Sequence, residues 1–117
     1  MLFKKKQVEV DPRIKQRDDL YLAIHHARDV LSSRVESVLA HNLMLTVLPT
    51  ESTEYKNCNY ELTMAKQDVV EWMHSYECCI DDLREFAKMH PDLNVRTDHF
   101  SSAEQAVLFT CRYYYRK

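Results

Sequence analysis

The sequence predicts an all-α protein: a long antiparallel helical hairpin with a shorter third helix at its C-terminal end. This is a three-helix bundle, with room for a second copy to complete it as a dimer. Three observations predict it. Apolar residues from Tyr55 to Phe86 recur in alternating steps of three and four, the period of a helical seam and not of a strand. The 117 residues include no glycine, whereas tight strand hairpins need φ > 0 in their turns. Pro49 and Pro91 fall where the two long periodic segments stop, as expected of a residue that cannot continue a helix.

Residues 1–12 read as a polar lead-in, with a short strand at Gln7 to Val10, ending at Pro12. Residues 13–117 read as one helical domain. Its first helix is expected over about 18–48, with Asp18 and Asp19 at the positive end of the helix dipole. Leu20, Ile24, Ala27, Leu31, Val35, Val38 and Leu45 fall on one face. The pattern weakens at His41 and Asn42. About 30 residues at 1.5 Å each give a rod of roughly 45 Å.

The connection LPTEST is short, which makes the flanking helices antiparallel neighbours. Thr50 or Ser52 serves as the cap of a second helix over about 51–89. Its seam is Tyr55, Cys58, Leu62, Ala65, Val69, Trp72, Tyr76, Cys79, Leu83 and Phe86. Met73, Ile80 and Ala87 lie beside the seam in the second half only, so a third element has to cover that half. The segment VLFTCRYYY is rich in strand formers. A capping box at Ser101-Ser102-Ala103-Glu104 nevertheless predicts a helix over about 102–115, with Ala103, Val107, Cys111 and Tyr114 inward.

Composition excludes several function classes. Hydrophobic residues are 45% and charged residues 29% of the chain, the balance of a globular domain. No apolar run approaches the roughly 18 residues of a membrane span, and MLFKKKQVEV lacks the apolar region of a secretory signal. No membrane association and a cytoplasmic location are expected. Without glycine there is no phosphate-cradling loop and no dinucleotide fingerprint. Cys58, Cys78, Cys79 and Cys111 match no common zinc spacing, and read as reduced thiols. No cofactor is expected.

Charge is uneven. Residues 1–17 carry six Lys/Arg against Glu9 and Asp11, a net of +4, and residues 106–117 carry three cations and no acid. The intervening 18–105 hold 7 cations against 16 acids, a net of −9. Basic ends on an acidic body suit contact with an acidic partner or nucleic acid, but the favoured reading is that the ends fold back on the body.

Candidate chemistry concentrates in EWMHSYECC, Glu71 to Cys79. Glu71-x-x-His74 has the spacing that di-iron bundles use, and Cys78 extends it to a three-ligand ridge. Those bundles need the motif twice, and the seam leaves Glu71, His74 and Cys78 outward, so a solvated flank is expected. Cys79 sits in the seam as a small core hydrophobe. Glu77, Asp81 and Asp82 surround Cys78 with a negative field that works against thiolate chemistry. His25 with Asp29 one turn on could orient an imidazole, but no nucleophile accompanies them.

CRYYYRK at the C-terminus interleaves aromatics with cations. At least one of Tyr113, Tyr114 and Tyr115 is needed to dock the tail. Arg112, Tyr113, Tyr115 and Arg116 are the expected partner-binding residues, since Tyr and Arg are enriched in interfaces. The expected function is therefore non-enzymatic: a helical module that binds another protein as an adaptor, chaperone-like subunit or inhibitor. The alternative is a nucleic-acid-associated protein using Lys4, Lys5, Lys6 and Lys117 with Arg112 and Arg116. A metal-binding bundle using Glu71, His74 and Cys78 is the third reading.

Overall fold

A computed structural model describes residues 11–116, with side chains through Tyr114. Every regular element in it is helical. α1 spans Pro12–Leu45, α2 spans Thr53–Met89, a single 3₁₀ turn covers Pro91–Leu93, and α3 spans Ala103–Arg116. Helix pairing elongates the molecule to 75 × 33 × 25 Å.

α1 begins six residues before the expected Asp18, and local chemistry explains why. Asp11 is extended, at φ −61° and ψ 121°, and its carboxylate accepts from the Arg13 N–H at 3.0 Å as an N-cap. Pro12, read as the end of the lead-in, instead opens the helix at its first position, where no N–H is needed. Arg13 then bridges Asp11 at 2.7 Å and Asp92 at 2.9 Å, tying the open end of the hairpin to the 3₁₀ turn. The proposed strand at Gln7 to Val10 lies outside the described residues.

The hairpin closes as expected. Thr46 caps α1, and the Ser52 hydroxyl accepts from the Tyr55 N–H at 3.0 Å to start α2. α2 ends where Pro91 forces His90 out of the helical region, to φ −133° and ψ 64°. The next turn needs a left-handed residue, and Asn94 supplies it at φ 50° in a chain without glycine.

Every residue of the predicted α2 seam is buried or half-buried. Tyr76 and Leu83 are fully enclosed, as is the flanking Ile80, against Ile24, Ala27, Leu31 and Val35 of α1. Leu39 is buried on α1 where Leu45 was expected and is only half-buried. The buried set Ala27, Leu31, Val35 and Leu39 advances in steps of four, so the inner stripe drifts around α1 and leaves the straight line drawn from Leu31 to Leu45.

α3 lies beside α1 and runs in the same direction. The preceding Phe100 packs against Tyr21 and His25, with ring centroids 6.2 and 5.8 Å away. Further along, the Thr110 hydroxyl meets the Ser32 hydroxyl at 3.0 Å. The inner face of α3 is rotated from the expected one. Ala106 and Thr110 are buried with Ala103, while Val107, Cys111 and Tyr114 are half-buried. Small side chains at the centre allow close approach to α1. α3 runs beside the middle of α1 and reaches Val35, Val38 and Leu39 through Val107 and Cys111, while Leu43, Met44, Val47 and Tyr60 stay exposed toward the loop.

Candidate functional site

The EWMHSYECC segment divides cleanly between inside and outside. Trp72 is half-buried, its ring edge-on to His26 at 6.0 Å. Tyr76 is fully buried, and its hydroxyl donates to the Ser101 carbonyl at 2.8 Å. Next to it Glu77 accepts from the Ala103 N–H at 2.7 Å, so α2 supplies an acceptor to the first turn of α3. Ser102, the residue before α3, accepts from the Gln105 N–H at 3.2 Å. The cap therefore sits one residue later than the Ser101 frame that the sequence suggested.

Glu71, His74 and Cys78 are exposed. The Cys78 Sγ and His74 Nε2 lie 3.5 Å apart. Among the described residues, no group of three or more His, Cys, Asp or Glu side chains is gathered to hold a metal ion, so Glu71 does not join the pair as a third ligand. All four cysteines are free. Burial, reinforced by Asp82 and Cys78, pushes the Cys79 thiol above its ordinary range, which keeps it protonated as a core side chain. His25 faces Phe100, and no hydrogen bond joins it to Asp29.

A constellation that local sequence pattern does not reveal lies near the hairpin loop. His41 Nδ1 is 2.7 Å from the Ser37 carbonyl and Nε2 is 3.0 Å from Glu61 Oε2. These two acceptors hold His41 above the ordinary imidazole value, the Ser37 carbonyl first and Glu61 second. The Ser37 hydroxyl sits 3.4 Å from Nδ1, the nitrogen already committed to the carbonyl. With both nitrogens donating, no lone pair is left to take a serine proton. The arrangement is a clasp between α1 and α2, not a nucleophile–base pair.

The outer face of α3 is the other notable surface. Leu108, Phe109 and Tyr113 are 54%, 63% and 57% exposed, and Arg112 is exposed beside them. Phe109 separates two clefts. One of about 460 Å³ runs from Arg28 and His99 to Leu108 and Arg112. The other, of about 270 Å³, runs from Ser32 and Glu36 to Tyr113. Of the expected partner-binding residues, the structure thus brings Arg112 and Tyr113 together and adds Phe109. Tyr114 is the half-buried tyrosine that docks the tail. The side chains of Tyr115 and Arg116 lie outside the described residues, as do Lys4, Lys5, Lys6 and Lys117.

No helix among the described residues is long and apolar enough to cross a membrane. Comparisons with protein-family models, curated proteins and solved structures returned no match.

Proposed function

We propose that this chain is a non-enzymatic protein-binding module, of the adaptor, chaperone-like or inhibitor kind, acting in the cytoplasm. Its docking surface is the outer face of α3, with Phe109 and Tyr113 as anchors and Arg28 and Arg112 at the margins. The observation that carries this is the exposure of two aromatic side chains one turn apart on a short helix whose inner face is already used. Aromatic and arginine side chains dominate interface hot spots, and contiguous apolar exposure marks interaction surfaces more often than scattered single residues do. The clefts on either side of Phe109 give a partner's side chains somewhere to enter.

The test replaces Phe109 and Tyr113 by serine and measures binding to a captured partner alongside helicity. A hot-spot pair should cost at least about 2 kcal/mol, roughly thirtyfold in affinity, while the circular dichroism spectrum stays unchanged. Undiminished binding, or helicity lost in step with binding, would reject α3 as the docking face.

A further inference from the structure

The exposed face of α2 carries a second pattern, in register with the seam but opposite to it. Glu71, His74, Cys78, Asp81 and Glu85 follow one another in steps of three and four, and all five are exposed. Within this stripe only His74 and Cys78 offer nitrogen and sulfur, the donor set preferred by zinc and other borderline divalent ions. They are one helical turn apart, the spacing by which two histidines on one helix face chelate zinc.

Their separation is informative. A tetrahedral zinc with Zn–S near 2.3 Å and Zn–N near 2.05 Å spans about 3.6 Å between sulfur and nitrogen. The Cys78 Sγ and His74 Nε2 stand 3.5 Å apart without any rearrangement. Chelation needs the Nε2 lone pair free, which places the ring proton on Nδ1, and both side chains are accessible on the helix surface.

One pair supplies two of the four ligands of a closed tetrahedral site, and no third ligand stands nearby among the described residues. We propose that His74 and Cys78 form a half-site for Zn²⁺, completed by the same pair from a second copy of this chain across a two-fold axis through the ion. The site is Cys₂His₂. Each thiol releases its proton to solvent on binding, so two protons leave per zinc and the filled site is neutral. The flanking stripe explains why a cation is required. Glu71, Asp81 and Glu85 on two opposed faces repel each other, with Arg84 compensating only Asp81 at 3.5 Å. The same carboxylates draw a divalent ion toward the helix. Association through this face is therefore conditional on the metal.

Titration of the full, reduced chain with Co²⁺ tests the proposal. The expected result is the intense visible spectrum of tetrahedral cobalt with a thiolate charge-transfer band, saturating at one ion per two chains and displaced by Zn²⁺. Addition of either ion should double the mass seen by light scattering. His74→Ala and Cys78→Ser should each abolish the band and the mass change while leaving helicity intact, because both side chains are exposed. No tetrahedral spectrum in excess cobalt would overturn the site, as would bands that survive in both variants. One ion per chain with unchanged mass would overturn its sharing between copies.

Discussion

Tyr76→Phe isolates the contact that fixes the start of α3. The ring is fully buried and stays so in phenylalanine, which leaves the packing of Ile80 and Leu83 undisturbed. What disappears is the 2.8 Å hydrogen bond to the Ser101 carbonyl. A neutral hydrogen bond contributes about 0.5–1.5 kcal/mol net, and more when its partner is left buried and unpaired. Ser101 is half-buried, which puts the expected loss in the middle of that range, at about 1 kcal/mol. Unfolding entropy of about 2.1 cal/mol/K per residue gives ~0.25 kcal/mol/K for a chain this long, so the melting temperature should fall by ~4 °C. Ile80→Ala, by contrast, leaves a cavity in the seam and should cost about 2–5 kcal/mol.

The assay is thermal unfolding followed by circular dichroism, with amide exchange read separately in each helix. Exchange should accelerate most in α3, with α1 and α2 amides changing only by the global loss of about 1 kcal/mol. Glu77→Ala, which removes the acceptor from the Ala103 N–H, should mimic it at the usual capping cost of about 1 kcal/mol. Because both contacts hold the same junction, the double variant should lose less than the sum of the two. A Tyr76→Phe melting temperature within about 1 °C of the parent, with α3 exchange unaltered, would refute the idea that polar pins fix this helix.

Two pH responses follow from charged clasps at opposite ends of the hairpin. The hydrogen bonds from Arg13 hold Asp11 at about 2, and also lower Asp92. Folded values below the unfolded ones mean a stabilisation present above about pH 4. It is lost as pH falls toward 2, so the melting temperatures of the parent and Arg13→Ala should converge in acid. His41 runs the other way. Its raised folded value means a contribution that is full below the unfolded imidazole value of about 6.5 and is lost as pH rises through the folded one. Histidine proton shifts should show its midpoint above 6.5, and Glu61→Gln should bring that midpoint down.

The parts legible in the sequence are those set by local periodicity. The α2 seam needs only the identity of each residue and its phase, and the same phase correctly left Glu71, His74 and Cys78 outside. Misreadings occurred where a second body decides. α1 is buried by both α2 and α3, so its inner stripe drifts to Leu39. On α3 the docking against the hairpin buries Ala106 and Thr110 and leaves Val107 and Cys111 half-buried. Phe109 reads in sequence as one of the strand formers of VLFTCRYYY, because nothing local says that a phenylalanine in this helix faces solvent. The clasp between His41 and Glu61 crosses 20 positions of sequence, and the pins from Tyr76 and Glu77 cross 25 and 26. In the sequence each is an ordinary polar residue on a helix.

The manner in which α3 is held bears on the docking surface proposed for it. Its buried residues are Ala103, Ala106 and Thr110, whose few methyl groups contribute at about 0.8 kcal/mol each. The hairpin, by comparison, buries Ile24, Leu31, Ile80 and Leu83 completely, each at about 1.5–3 kcal/mol. α3 therefore opens before the hairpin does, since local stability follows buried apolar contact. Its N-terminal junction is pinned by Tyr76 and Glu77, which defines where the helix starts, while Thr110 and the half-buried Tyr114 steady its far end. A partner that grips Phe109 and Tyr113 binds the closed arrangement and so stabilises α3 on the hairpin by mass action. Weakening the pins then weakens binding to the extent that it populates the open form of α3, although neither Tyr76 nor Glu77 lies on the proposed surface.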